Sequence, residues 1–90
     1  MARILLVEDS RVQAGSAIEF LEGQGHEVVW ARDGGEALRY ATGEDDFELV
    51  LMDLVLPDMQ GTQVCQWLKQ NPRMRLVPVI MIDRSWRLLE

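Results

Sequence analysis

The sequence predicts an α/β fold built on a doubly wound, parallel β-sheet. Short runs of continuous, rather than alternating, apolar residues are typical of strands that are covered on both faces. These runs alternate with segments whose apolar residues recur at helical spacing, which indicates βαβ units. The predicted strands are residues 3–7, 27–31, 47–53 and 76–82.

Turn and capping signals place a helix after each predicted strand. Ser10 is expected to cap the first helix, and Asp83 is expected to cap a last short one. Glycine and proline punctuate the remaining boundaries. The predicted helices cover residues 11–23, about 36–43, the segment from Gly61 up to Asn71, and 83–90.

The composition of the chain limits its class and its partners. Its 90 residues suit one small domain, 1–90, and no window approaches the ~20 apolar residues of a membrane span. A formal charge of −6 argues against a nucleic-acid surface. The first residues do not read as a signal peptide, and a single cysteine, Cys65, allows no internal disulfide. We therefore expect a cytoplasmic protein without nucleic-acid or membrane partners.

Acidic residues follow two of the predicted strands, at the point where each strand ends. Glu8 and Asp9 come after the first strand, and Asp53 ends the third. Ligands of parallel sheets bind at the carboxyl ends of the strands, so these carboxylates crowd together if the two strands are neighbours. Crowded carboxylates repel one another unless a cation compensates their charge, and Mg²⁺ prefers oxygen ligands. Each acid taken singly is more often a solvated loop residue, but the combination favours a metal site.

Four segments, ILLVEDS (4–10), GHEVVWARDGGEAL (25–38), DLVLPDMQG (53–61) and VPVIMI (77–82), carry a resemblance to a known family. They resemble the receiver (CheY-like) domains of bacterial two-component response regulators, continuously from about residue 3 to residue 82. The resemblance implies a flavodoxin-like sheet of strand order 2-1-3-4, with the family's fifth strand and last helix missing from this chain. It also implies a phosphorelay signalling module rather than a turnover enzyme.

The resemblance implies a role for each residue of the acidic group. Asp53 corresponds to the phosphoacceptor, which receives a phosphoryl group from a histidine kinase or phosphotransfer protein. Glu8 and Asp9 correspond to the acidic pair that binds Mg²⁺ together with Asp53. The backbone carbonyl of Val55 is the remaining expected protein ligand.

The sequence departs from the family at two further site positions. Receiver domains carry Ser or Thr after the fourth strand and Lys after the fifth, whereas Asp83 stands at the first position. The only lysine, Lys69, lies on the predicted third helix. The alternative function is therefore a phosphorylation-independent module for protein interaction or dimerisation. An exposed edge on the fourth strand makes a homodimer the expected state.

Overall fold

The predicted strands pair side by side into one parallel sheet. A computed structural model of the protein describes residues 1–83, and it places the strands at β1 (Arg3–Val7), β2 (Glu27–Ala31), β3 (Leu49–Asp53) and β4 (Val79–Ile82). Their order in the sheet is β2-β1-β3-β4, and all three pairs are parallel. The predicted fold class and strand order are confirmed.

Three helices connect these strands in the described part of the chain: α1 (Arg11–Gly23), α2 (Gly34–Ala41) and α3 (Gly61–Gln70). The predicted cap of α1 is confirmed, because the Ser10 side chain accepts a hydrogen bond from the Gln13 N–H. The last predicted helix, at 83–90, lies outside the described residues, apart from Asp83, which is exposed. No helix within residues 1–83 is both long enough and apolar enough to cross a bilayer.

The predicted start of α2 was two residues too late. The helix begins at Gly34, because Asp33 is its cap and accepts a hydrogen bond from the Glu36 N–H at 2.8 Å. The two glycines that suggested a turn thus form the first residues of the helix instead. Their N–H groups donate to Asp58, which lies outside the helix. Sequence spacing does not reveal this contact.

The third and fourth strands begin later than predicted. The apolar residues before them lie in the core or in a turn and do not belong to the strands. Phe47 packs in the core ahead of β3, without belonging to the strand. Leu76 is 86% exposed in the turn before β4, and the Val77 N–H donates to the Met74 carbonyl within that turn. Continuous apolar sequence therefore marked the position of each strand but not its first residue.

The main core lies between one face of the sheet and the helices α2 and α3. Alternate strand residues, such as Leu5 and Met52, contribute to it together with Ala37 and Val64 of the helices. The opposite face carries Ile4 and Leu6, which are also buried. The strands are therefore apolar on both faces, as their continuous apolar sequence predicted.

Two tryptophans differ in their exposure to solvent. Trp30 on β2 is partly buried, whereas Trp67 on α3 is 44% exposed. The core side of α3 is instead filled by Val64 and Leu68, which lie one helical turn apart and are both buried.

The start of α3 approaches the end of β3 so closely that only glycine fits there. The Gly61 N–H donates to the Leu54 carbonyl at 2.7 Å, and a Cβ at Gly61 would lie 2.2 Å from the Asp53 carbonyl oxygen. That oxygen belongs to the backbone and cannot rotate away. Close packing, rather than an unusual φ angle, accounts for this glycine.

We expect Gly61→Ala to lower the free energy of unfolding by about 1–3 kcal/mol, because the added methyl group must push α3 away from β3. Urea unfolding followed by circular dichroism measures the change. Gly15→Ala, in the middle of α1, is the matched control, because no atom lies within 4 Å of its Cβ position. It should stabilise the protein by up to about 1 kcal/mol through helix propensity. Equal stability of Gly61→Ala and the wild type would contradict the prediction.

Candidate functional site

The pairing of β1 with β3 brings the acidic residues of the sequence to one place. Val7 pairs with Met52 at the ends of the two strands, so the next residues along each strand, Glu8 and Asp53, lie opposite each other. Neighbouring strands are about 4.8 Å apart. The assumption that these strands are neighbours is therefore confirmed.

One carboxylate oxygen from each of Glu8, Asp9 and Asp53 lies within 4.8 Å of the other two. Glu8 is 6% exposed and Asp53 is 3% exposed, whereas Asp9 is exposed to solvent. Asp83 is not a member of this group among the described residues. The cluster thus has two buried acids at the strand ends and one acid facing solvent.

Backbone and side-chain hydrogen bonds fix the first loop of the site. The Glu8 N–H donates to the Ala31 carbonyl at 3.0 Å, and the Glu8 Oε2 accepts from the Ser10 N–H at 2.9 Å. The Trp30 Nε1–H donates to the Glu8 carbonyl at 2.7 Å. This last contact was not anticipated, because nothing in the spacing of Trp30 and Glu8 points to it.

The loop that follows β3 contacts the Asp53 side chain. Its Oδ1 accepts a hydrogen bond from the Val55 N–H at 3.4 Å, and Val55 forms an isolated antiparallel bridge with Gln60. The predicted ligand role of the Val55 carbonyl stays a prediction, as do the roles of the three carboxylates.

The donor set fits a hard divalent cation. Three carboxylate oxygens without a nitrogen or sulfur ligand match the preference of Mg²⁺, which keeps several waters in its shell. Asp9 is exposed, so solvent can reach this side of the group.

The profile of the response regulator receiver domain family matches residues 4–85 of this chain. The chain belongs to this family. Receiver domains of two-component response regulators are signalling modules, so the prediction of a signalling module is confirmed.

Individual relatives agree with this assignment. The chain is 37% identical over 93 residues to protein PilH of Pseudomonas aeruginosa, covering 96% of this chain and 76% of PilH. It is 35% identical over 79 residues to the polar-differentiation response regulator DivK of Brucella ovis, covering 88% of this chain and 63% of DivK. The chain thus spans less than two thirds of the length of DivK.

Solved receiver domains share the fold. The receiver domain of the sensor histidine kinase PA1611 from Pseudomonas aeruginosa superposes with a TM-score of 0.84 at 31% identity, covering 89% of this chain and 65% of that domain. That structure has a magnesium ion coordinated in its active-site cleft.

Lys69, the one lysine in the given sequence, has a structural role. The Lys69 Nζ donates to the Val77 carbonyl at 2.7 Å and to the Arg75 carbonyl at 3.3 Å. These bonds fasten the end of α3 to the turn that precedes β4. Lys69 therefore stabilises this turn, and it lies on the third helix, as predicted.

The one acid of the loop between β3 and α3, Asp58, joins this loop to α2. The two carboxylate oxygens of Asp58 accept hydrogen bonds from the N–H groups of Gly34 and Gly35, both at 2.9 Å. The bond from Gly34, reinforced by that from Gly35 against the opposing effect of desolvation, holds the pKa of the Asp58 carboxyl below its ordinary value of 3.8. The Pro-Asp sequence indicated a turn but not this long-range contact.

We expect Asp58→Asn to lower the free energy of unfolding by about 1 kcal/mol at neutral pH, because a carboxylate that caps a helix also interacts favourably with the helix dipole. The folded-state pKa lies below the unfolded value. This contribution is therefore fully present above about pH 3.8 and is lost as the pH falls through the folded-state pKa. Urea unfolding at a series of pH values should show the wild type and the variant converging in acid.

Glu44→Gln is the control for this experiment, because it also removes one exposed negative charge but lies outside the loop after β3. It should show no comparable convergence. A difference between Asp58→Asn and the wild type that stays constant down to the most acidic measurable pH would contradict the prediction.

Proposed function

We propose that this receiver domain accepts a phosphoryl group on Asp53 from a phosphohistidine of a histidine kinase or phosphotransfer protein. The observation that carries the proposal is the group of three carboxylates around Asp53 at the carboxyl ends of β1 and β3. Asp53 is buried among neighbours that hold it in one place, yet it adjoins a solvent-facing acid. This arrangement favours a positioned nucleophile over a general surface charge.

The residues of the site have distinct parts in this reaction. A carboxylate oxygen of Asp53 attacks the phosphorus atom, the bond from phosphorus to the histidine nitrogen breaks, and an acyl phosphate forms on Asp53. Glu8, Asp9, Asp53 and the Val55 carbonyl would hold Mg²⁺. When bound, the ion offsets the repulsion between the carboxylate and the phosphoryl oxygens.

The proposed transfer should be slow, because one expected donor to the phosphoryl group is replaced. Asp83 stands where a hydroxyl is usual in the family. Removing a single preorganised donor at a reacting centre costs about 3 kcal/mol. A carboxylate facing a phosphoryl group would add repulsion.

Incubation with acetyl phosphate and Mg²⁺, followed by intact-mass measurement, tests this function. We expect the mass of one phosphoryl group on the wild type and none on Asp53→Asn or after chelation of the metal. Asp83→Thr should be modified faster than the wild type, because it restores a hydroxyl donor and removes a negative charge. Asp46→Asn, which changes an exposed acid that pairs with Arg73, should behave as the wild type does.

Two results would count against this function. Modification of Asp53→Asn to the same extent as the wild type would show that another group is the acceptor. A wild type that remains unmodified, together with an unmodified Asp83→Thr, would favour the second candidate function.

The second candidate is an interaction module that works without phosphorylation, and the surface of β4 favours it. β4 is the outermost strand on its side of the sheet that residues 1–83 form. Ile80 on this strand is 51% exposed, and Leu76 just before it is 86% exposed. Apolar strand edges of this kind pair readily with another chain.

We expect the protein to form a homodimer through β4, as measured by light scattering coupled to size exclusion over a micromolar concentration series. Ile80→Lys should shift the protein towards monomer, because a charged residue on an edge strand opposes pairing. Val12→Lys is the control, since Val12 is 79% exposed on α1, away from β4. A wild type that is a folded monomer at every concentration would contradict this expectation.

A further inference from the structure

The carbonyl of Glu8 marks the point where the pairing of β1 with β2 stops. Val7 pairs with Ala31, and the Glu8 N–H continues the ladder by donating to the Ala31 carbonyl. In a parallel ladder the next donor to the Glu8 carbonyl would be the Asp33 N–H. Asp33, however, is the cap of α2, where the chain leaves the sheet.

A side chain takes the place of that ladder donor. The Trp30 Nε1–H donates to the Glu8 carbonyl at 2.7 Å, the short end of the range for such bonds. Trp30 on β2 pairs with Leu6 on β1, and the two side chains lie on the same face of the sheet. Leu6 comes two residues before Glu8 in the chain. The indole therefore reaches past the end of β1 to the first peptide group of the acidic loop.

The indole ring is itself held in place. The Arg32 guanidinium carbon lies 5.7 Å from the centre of the Trp30 ring, within the range of a cation–π contact. The Arg32 Nε lies 3.6 Å from the Glu36 Oε2, and the Arg32 N–H donates to the Glu36 Oε1 at 3.0 Å. Ring, guanidinium and carboxylate form a series of contacts from α2 to the Glu8 carbonyl.

We propose that Trp30 is a positioning residue for the cation site, and that its indole N–H sets the affinity of the Glu8–Asp9–Asp53 group for a divalent cation. The Glu8 carbonyl belongs to the peptide group that joins Glu8 to Asp9. Fixing that peptide plane fixes the direction in which the Asp9 side chain leaves the backbone, while the Ser10 N–H fixes the Glu8 carboxylate. The inference rests on the proposed function, since it assumes that the acids bind a cation.

The role of the N–H group differs from the role of the ring as a packing element. Trp30→Phe keeps an aromatic ring on β2 and removes only the donor and part of the ring. Trp67→Phe is the matched control, because it makes the same chemical change on α3 at a site 44% exposed to solvent. Thermal melting of both variants establishes that they fold.

Titration with Mg²⁺ alone, followed by backbone amide shifts, measures the affinity of each protein. We expect Trp67→Phe to match the wild type and Trp30→Phe to bind about fivefold more weakly, the size of effect that the loss of one hydrogen bond produces. In the wild type, the indole N–H resonance that disappears in Trp30→Phe should shift on addition of Mg²⁺. The resonance that disappears in Trp67→Phe should not shift.

The outcomes separate the inference from the proposed function. A wild type that binds Mg²⁺, with equal affinity in Trp30→Phe, overturns the role of Trp30 and leaves the proposed function standing. A wild type whose amide shifts do not respond to Mg²⁺ overturns both. If Trp30→Phe does not fold, the Trp30 indole resonance, assigned in the wild type by triple-resonance spectroscopy, decides, and a resonance that Mg²⁺ does not move overturns the inference.

Discussion

The parallel register between β1 and β3 is the constraint on which the candidate site depends. It sets Val7 beside Met52 and therefore Glu8 beside Asp53. The backbone register alone thus brings these two acids together. A shift of one residue in this pairing would move the strand residues to opposite faces and separate the carboxylates. The apolar residues that bury both faces of these strands thus also determine the geometry of the acids. In this protein, core packing and site assembly are one requirement.

Burying acids next to one another has a cost that the fold must offset. Glu8 and Asp53 are almost fully buried and lie near a third carboxylate, and gathering like charges in a buried place costs free energy. A cation bound there, as proposed above, would stabilise the folded domain. Such local conflict between stability and arrangement is common at functional positions.

Much of the fold could be predicted from the sequence, since the signals were local. Continuous apolar runs gave the four strands, and Ser10 gave the start of α1 to the residue. The acidic group also followed, on the assumption that β1 and β3 are neighbours, a strand order that the resemblance to receiver domains implied. The errors arose where a distant partner decides the outcome. The start of α2 depends partly on Asp58, which lies 24 residues from Gly34, and the indole contact of Trp30 spans 22 residues.

The contact between Asp58 and α2 has a consequence for how the domain could neutralise an anion. The N-terminus of a helix, with its N–H groups directed outwards, is a ready site for phosphate oxygens. In α2 the carboxylate of Asp58 already fills this position and accepts from the N–H groups of Gly34 and Gly35. The partial positive charge at the N-terminus of that helix therefore already interacts with a carboxylate of the loop after β3. A negative charge brought to Asp53 would therefore not be met by the N-terminus of this helix.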